Sequence, residues 1–219
     1  MNKNAKNGAG FKTDDVPLVQ GVRLFMQKQG VVVYIAGVGI MLAVFVLVFY
    51  AIRVKRDNEQ ASRLLGVAQT QKQFEDLYGQ YPKSSAAPVA LFAMAASRFG
   101  VGDYNAASAH YAEFIRKYPK HPMLSAAELG QTMCSEASGD TDKALLGFNS
   151  FLLTHPDSYL TPQALFGKAR CLQVTGKWTE ARIVYENFIA ANPKSKWRQQ
   201  AESALQSLDR QVRVKTQGS

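Results

Sequence analysis

Few side chains in this sequence are of the types that do chemistry at short range. There are three histidines (His110, His121, His155) and two cysteines (Cys134, Cys171). Histidine and cysteine become metal ligands when they pair at spacings of roughly two to five residues. Here no two of the five lie closer than 11 positions apart. The chain also has no Gly-x-Ser-x-Gly elbow for a nucleophile, no phosphate-binding P-loop and no Gly-x-Gly-x-x-Gly dinucleotide turn. The sequence therefore predicts no catalytic centre, no metal, no cofactor and no small-molecule substrate. It predicts a protein that works by holding something.

What the two cysteines do carry is a spacing. Cys134 and Cys171 are 37 residues apart, and the same interval separates Gly102, Gly139 and Gly176. It recurs in Ala107, Ala144 and Ala181; in Tyr111, Phe148 and Tyr185; in Phe114, Phe151 and Phe188; and in Pro119, Pro156 and Pro193. A period of this length marks a stack of supersecondary units, none able to bury its apolar face alone. Within each unit a glycine ends one helix in a left-handed conformation. A small alanine admits close approach, an aromatic stripe at helical spacing faces the core, and a proline stops the second helix. Equivalent helices of neighbouring units lie about 8–10 Å apart, beyond easy disulfide reach, so both cysteines read as small buried hydrophobes.

Ahead of the repeats, residues 31–52 run for 22 positions without a charge. As a helix this stretch is about 33 Å long, enough to cross the hydrocarbon of a bilayer. It is longer than the apolar core of a secretory signal and about 30 residues precede it, so it reads as a retained transmembrane helix. Tyr34, Phe49 and Tyr50 stand near its ends, where aromatic rings favour the headgroup layer. Before it, Leu18, Val19, Val22, Phe25 and Met26 share one helical face, as in a short interfacial helix capped by Asp14 or Asp15. Gly30 is expected to let the chain turn into the span.

The net charge is +9. Beyond residue 52 there are 21 Lys and Arg against 15 Asp and Glu, with some concentration from Lys194 to Lys215. Aromatics are not interleaved with these cations, which argues against a nucleic-acid groove and leaves an anionic lipid surface or a solvated face.

The segments GDYNAASAHYAEFIRKYP, GDTDKALLGFNSFLLTHP and GKWTEARIVYENFIAANP resemble the turn and second helix of tetratricopeptide repeats. The expected fold is all-α: an N-terminal transmembrane helix followed by a short tetratricopeptide-type α-solenoid. The expected organisation is a tail (1–13), an interfacial helix (14–29), the span (30–53), a connecting helix and degenerate leading half-repeat (54–87), three repeats (88–193) and a capping helix with tail (194–219). From Arg53 the span is expected to run on as helix to about Tyr81. The resemblance implies a partner-binding groove lined by the first helix of each unit, with Phe92, Leu129 and Phe166 in one slot and Ala96, Met133 and Arg170 a turn later. The Lys and Asn of the family's carboxylate clamp are missing from such slots, so capture of an acidic C-terminal peptide is not expected.

The whole layout, a short amphipathic helix, one span and a small repeat domain, resembles the YfgM-like ancillary subunits of the bacterial Sec translocon. The repeats also resemble the BamD and CpoB envelope proteins. The first resemblance implies a single-pass protein of the bacterial inner membrane, its N-terminus cytoplasmic and its repeats periplasmic. Its partners would be the bilayer and proteins, either translocon components or periplasmic chaperones. A structural adaptor in another envelope or cell-division assembly is the alternative. Cations within about 15 residues of the span number two on the N-terminal side and four on the other, a count that favours the reverse orientation.

Overall fold

The computed structural model describes residues 17–217, and all regular structure among them is helical: α1 (Pro17–Val67), α2 (Gln71–Gln80), α3 (Ala87–Gly100), α4 (Tyr104–Lys117), α5 (Leu124–Ala137), α6 (Thr141–Thr154), α7 (Thr161–Val174), α8 (Trp178–Ala191) and α9 (Arg198–Gln217). The expected tail and its Asp14 or Asp15 cap lie outside the described residues, as do the side chains of the expected interfacial face. The chain divides into two compact units at Arg56 and Asp57.

In the first unit the backbone is helical through Gly30, without the expected turn. A glycine can be carried inside a helix at a cost of about 1 kcal/mol relative to alanine, which a long hydrogen-bonded helix absorbs. From Tyr34 to Ile52 every residue is exposed. This helix is long and apolar enough to cross a membrane.

The second unit is the repeat stack. Helices α3 to α8 are each 14 residues long, so the 37-residue period is kept by the turns. Between the helices of a pair, Gly102, Gly139 and Gly176 take φ of 81°, 85° and 74°. Each glycine N–H returns to a carbonyl three residues back, and the next N–H reaches five back, as in Asp103 to Arg98 (3.0 Å) and Lys177 to Leu172 (2.8 Å). This is the Schellman closure, and it requires a residue tolerant of positive φ. Asp103 and Asp140 then cap α4 and α6 by accepting from Ala106 and Lys143 N–H. Between pairs, Tyr118, His155 and Asn192 adopt φ of −127°, −130° and −127° before their prolines, outside the helical region, as the proline ring demands.

Helix α1 stops at Val67 rather than running on to Tyr81. Thr70 accepts from Gln73 N–H, and the Gln73 side chain accepts from Thr70 N–H, a reciprocal capping box that starts α2. The last turns of α1 join the stack, with Ala61 fully buried among Leu77, Ala86 and Ala90. At the far end Ala201 and Leu208 of α9 are buried in the last core cluster of the stack.

Packing between repeats is governed by where side chains are missing. A Cβ added to Gly130 of α5 would lie 2.6 Å from the Tyr111 ring of α4, and one on Gly167 of α7 would lie 2.2 Å from the Phe148 ring of α6. Gly130 and Gly167 are themselves 37 residues apart, and the same slot holds Ala93 and Ala204. Within repeat two, Thr132 replaces the alanine found at positions 95 and 169, and Gly147 of α6 makes the room it needs, since a Cβ there would meet Thr132 Oγ1 at 2.6 Å.

Phe148 is fully buried and cannot swing aside. Gly167→Ala should therefore cost about 1–3 kcal/mol by overpacking, with Gly167→Ala/Phe148→Leu recovering part of the loss. Gly79→Ala, in an exposed helical site with no atom within 4 Å, should instead stabilise by about 0.5–1 kcal/mol. Urea denaturation of the three variants measures both.

Candidate functional site

The first helices of successive repeats touch one another, α3 with α5 and α5 with α7, and the second helices make no comparable approach. The first helices therefore line the inner side of the stack, which is where the sequence places the groove.

The six groove residues separate into two groups. Leu129 and Phe166 are 2% and 3% exposed, and Phe92 is half-buried edge-on to Tyr111 (5.4 Å) and Phe114 (6.0 Å). Leu129 and Phe166 are core and Phe92 packs against it, so this slot of the expected groove is filled. The cause lies in the following inter-repeat turn. Its last residue, at positions 123, 160 and 197, packs into the same cluster as Phe92, Leu129 and Phe166 respectively: Met123, Leu160 and Trp197. The Trp197 ring lies 6.1 Å from that of Phe166. The sequence pattern alone does not assign these covering residues to the slot, although their own 37-residue spacing is a signal that could find them.

The second group is accessible. Ala96 and Arg170 are exposed and Met133 is half-buried, its sulfur accepting from Gln163 Nε2 at 3.3 Å. One turn further, Gly100, Ala137 and Val174 are exposed in a common slot. Arg170 is committed: its Nε and Nη2 donate to the two carboxylate oxygens of Glu136 at 2.6 and 2.9 Å. The inner face thus offers small or apolar side chains over repeats one and two, and a bidentate ion pair bridging α5 to α7. Such a surface can seat an apolar segment in contact with backbone and methyl groups. It presents no group poised for proton transfer or nucleophilic attack.

The other reactive types are quiet. Both thiols are free and buried, and burial pushes Cys134 and Cys171 up to about 11, which leaves them protonated and unreactive at neutral pH. His155 Nε2 is 2.6 Å from Glu128, a link between α5 and the end of α6. No group of three or more His, Cys, Asp or Glu placed to hold a metal occurs among the described residues. Outside the inner face, Tyr78 donates to Glu113 (3.0 Å), and Lys117 donates to Tyr78 (2.7 Å) and pairs with Glu113 (2.7 Å), joining α2 to α4. Burial alone would raise Glu113; the bonds from Lys117 and Tyr78 outweigh it and hold the carboxyl below its usual range.

The tetratricopeptide repeat family matches residues 89–121 and 163–195. This chain carries tetratricopeptide repeats. Solved structures agree on the fold. A tetratricopeptide repeat protein from Parabacteroides merdae aligns with a TM-score of 0.52 at 15% identity, over 71% of this chain and 60% of its own length. The chain therefore spans less than two thirds of that protein. Nearly identical TPR-like repeats from a Podosopora anserina protein assigned as a kinesin light chain align with a TM-score of 0.52 at 18% identity, over 76% of this chain and 97% of theirs. A second structure of those repeats gives 0.51 and 18%. No protein of curated function matches the sequence with significance. Tetratricopeptide stacks are scaffolds for protein–protein interaction, and protein partners follow from the fold.

The depressed Glu113 carboxyl contributes stability that is present above the unfolded-state carboxylate pKa. That contribution is lost as pH falls through the lower folded value. Glu113→Gln should lower the urea midpoint near pH 7 and narrow the gap to wild type near pH 3; an unchanged gap between the two pH values would refute the assignment.

Proposed function

We propose that this protein is a membrane-anchored scaffold whose repeats hold protein partners, assisting secretory or envelope proteins at the translocon of a bacterial inner membrane. The observation that carries the reading is the joining of two things in one chain: a stack of tetratricopeptide repeats, and an exposed apolar helix of membrane-spanning length. The 18-residue apolar window of this helix has a mean hydropathy of 2.7 and none of it is buried. A bilayer covers it at the rate of about 25 cal/mol per Å² of apolar surface.

The accessible inner face is the contact surface in this proposal. Ala96, Ala137 and Val174 supply apolar contact, Met133 an adaptable edge, and the Arg170–Glu136 pair a polar end stop. The assignment of the repeats to the periplasm rests on the layout resemblance, and the near-span charge count opposes it.

Two experiments test the proposal. Alkaline phosphatase fused after Ser219 is active in intact cells if the repeats are periplasmic; an inactive fusion, with an active cytoplasmic reporter at the same point, reverses the orientation. Ala96→Arg/Ala137→Arg places two exposed cations on the inner face without touching the core. It is expected to weaken in-cell crosslinking to translocon or chaperone partners at least about tenfold, with the circular dichroism unchanged. Undiminished crosslinking to those partners moves the site off this face, and crosslinks to other envelope machinery alone replace the translocon assignment.

A further inference from the structure

Each turn between repeats follows its proline with a residue in one fixed slot: Lys83, Lys120, Asp157 and Lys194, successively 37 residues apart. All four are exposed, as is Lys196 in the last turn, and none of the lysines is in an ion pair among the described residues. The repeat that breaks the row at Asp157 presents two apolar side chains there instead. Leu153, at the end of α6, is 83% exposed, and Tyr159, in the turn itself, is 78% exposed.

The turns inside each repeat lie at the other end of the 14-residue helices, about 21 Å away. Asp103 and Asp140 are occupied there as helix caps. The cations of those turns have carboxylates beside them in the chain, Lys143 with Asp142 and Lys177 with Glu180. Neighbouring repeats are about 10 Å apart, so the four slots of the first edge form a row about 30 Å long. A row of that length suits an extended anionic surface. An acidic protein would need carboxylates at the same pitch and a pocket for each apolar side chain, whereas a headgroup layer adapts to both.

The chain itself brings such a layer within reach. Asn58 Oδ1 accepts from Ser85 N–H at 2.8 Å, and Gln60 Oε1 accepts from the Tyr81 hydroxyl at 3.0 Å, so the chain enters the stack at this edge. Asp57 follows Ile52, the last residue of the apolar stretch, by five positions, a tether of at most about 18 Å.

We propose that the turns between repeats form a membrane-docking edge. Lys83, Lys120, Lys194 and Lys196 engage the headgroup phosphates of phospholipids of net negative charge, and Leu153 and Tyr159 enter the headgroup layer. The proposal rests on the reading of residues 31–52 as a membrane span. Asp57 and Glu59 offset Lys83, so the attraction is strongest at the far repeats. With a Debye length of about 8 Å at physiological ionic strength, the lipid charge acts on this edge and is screened at the other.

The test reconstitutes the full chain in vesicles of phosphatidylcholine alone, or of equimolar phosphatidylcholine and phosphatidylglycerol, each with a trace of phosphatidylcholine bearing a headgroup nitroxide. A bimane label is attached through Gln200→Cys at the docking edge or Thr179→Cys at the opposite edge; both positions are exposed, and the buried native thiols do not compete. Quenching at position 200 is expected to be about twofold or more stronger with phosphatidylglycerol than without it, and stronger than at position 179. Lys83→Gln/Lys120→Gln/Lys194→Gln/Lys196→Gln, with unchanged circular dichroism, returns it to the phosphatidylcholine level. Quenching that ignores phosphatidylglycerol, is equal at the two positions, or survives the four substitutions overturns the docking edge. Failure of the chain to float with either vesicle after an alkaline wash overturns the span beneath the proposal, a result distinct from altered quenching in vesicles that retain the chain.

Discussion

The repeat stack depends on one steric condition: at its two inner junctions a ring enters the next repeat where that helix has no side chain. Tyr111 over Gly130 and Phe148 over Gly167 meet it with glycine. Burying such rings contributes about 1.5–3 kcal/mol each, and a single methyl in the way would oppose that gain. The condition fixes the distance between helices, and with it the orientation each pair must adopt on leaving its turn. The left-handed glycines at 102, 139 and 176 supply that orientation. Repeat two departs from the pattern at Thr132 and restores it at Gly147, which explains how its atypical first helix still forms 14 residues of regular helix.

Much of this is legible in the residues themselves. The period, the turn glycines, the stopping prolines and the core role of the aromatic stripes and cysteines all follow from residue types at fixed intervals. The break at residues 68–70 is not, because α2 is one turn shorter than its counterparts, which moves the break out of register. A local signal, Thr70 with Gln73, is present all the same. The groove is harder for a different reason. Periodicity identifies equivalent positions, and it assigns Leu129 and Phe166 to the inner side. Whether such a position is open depends on what the following turn lays over it, and Leu160 and Trp197 lie 31 residues further along in both cases. Burial there is a property of two repeats together.

The inner face that remains is small and apolar over most of its length. Its one strong polar feature, Arg170 on Glu136, is satisfied internally and half exposed, so it contributes little to stability. Its effect is geometric: it ties α5 to α7. The thiols are buried, His121 packs edge-on against Phe114, and His155 pairs with Glu128.

The residues that cover the inner slots are not uniform. They run Met123, Leu160 and Trp197 from the first repeat to the third. In a stack where each unit leans only on its neighbours, interface strength is a sequence of local values. The junctions are thus closed by side chains of different size, an indole at the last. A substitution at any one of them would therefore act on its own junction and leave the others unchanged.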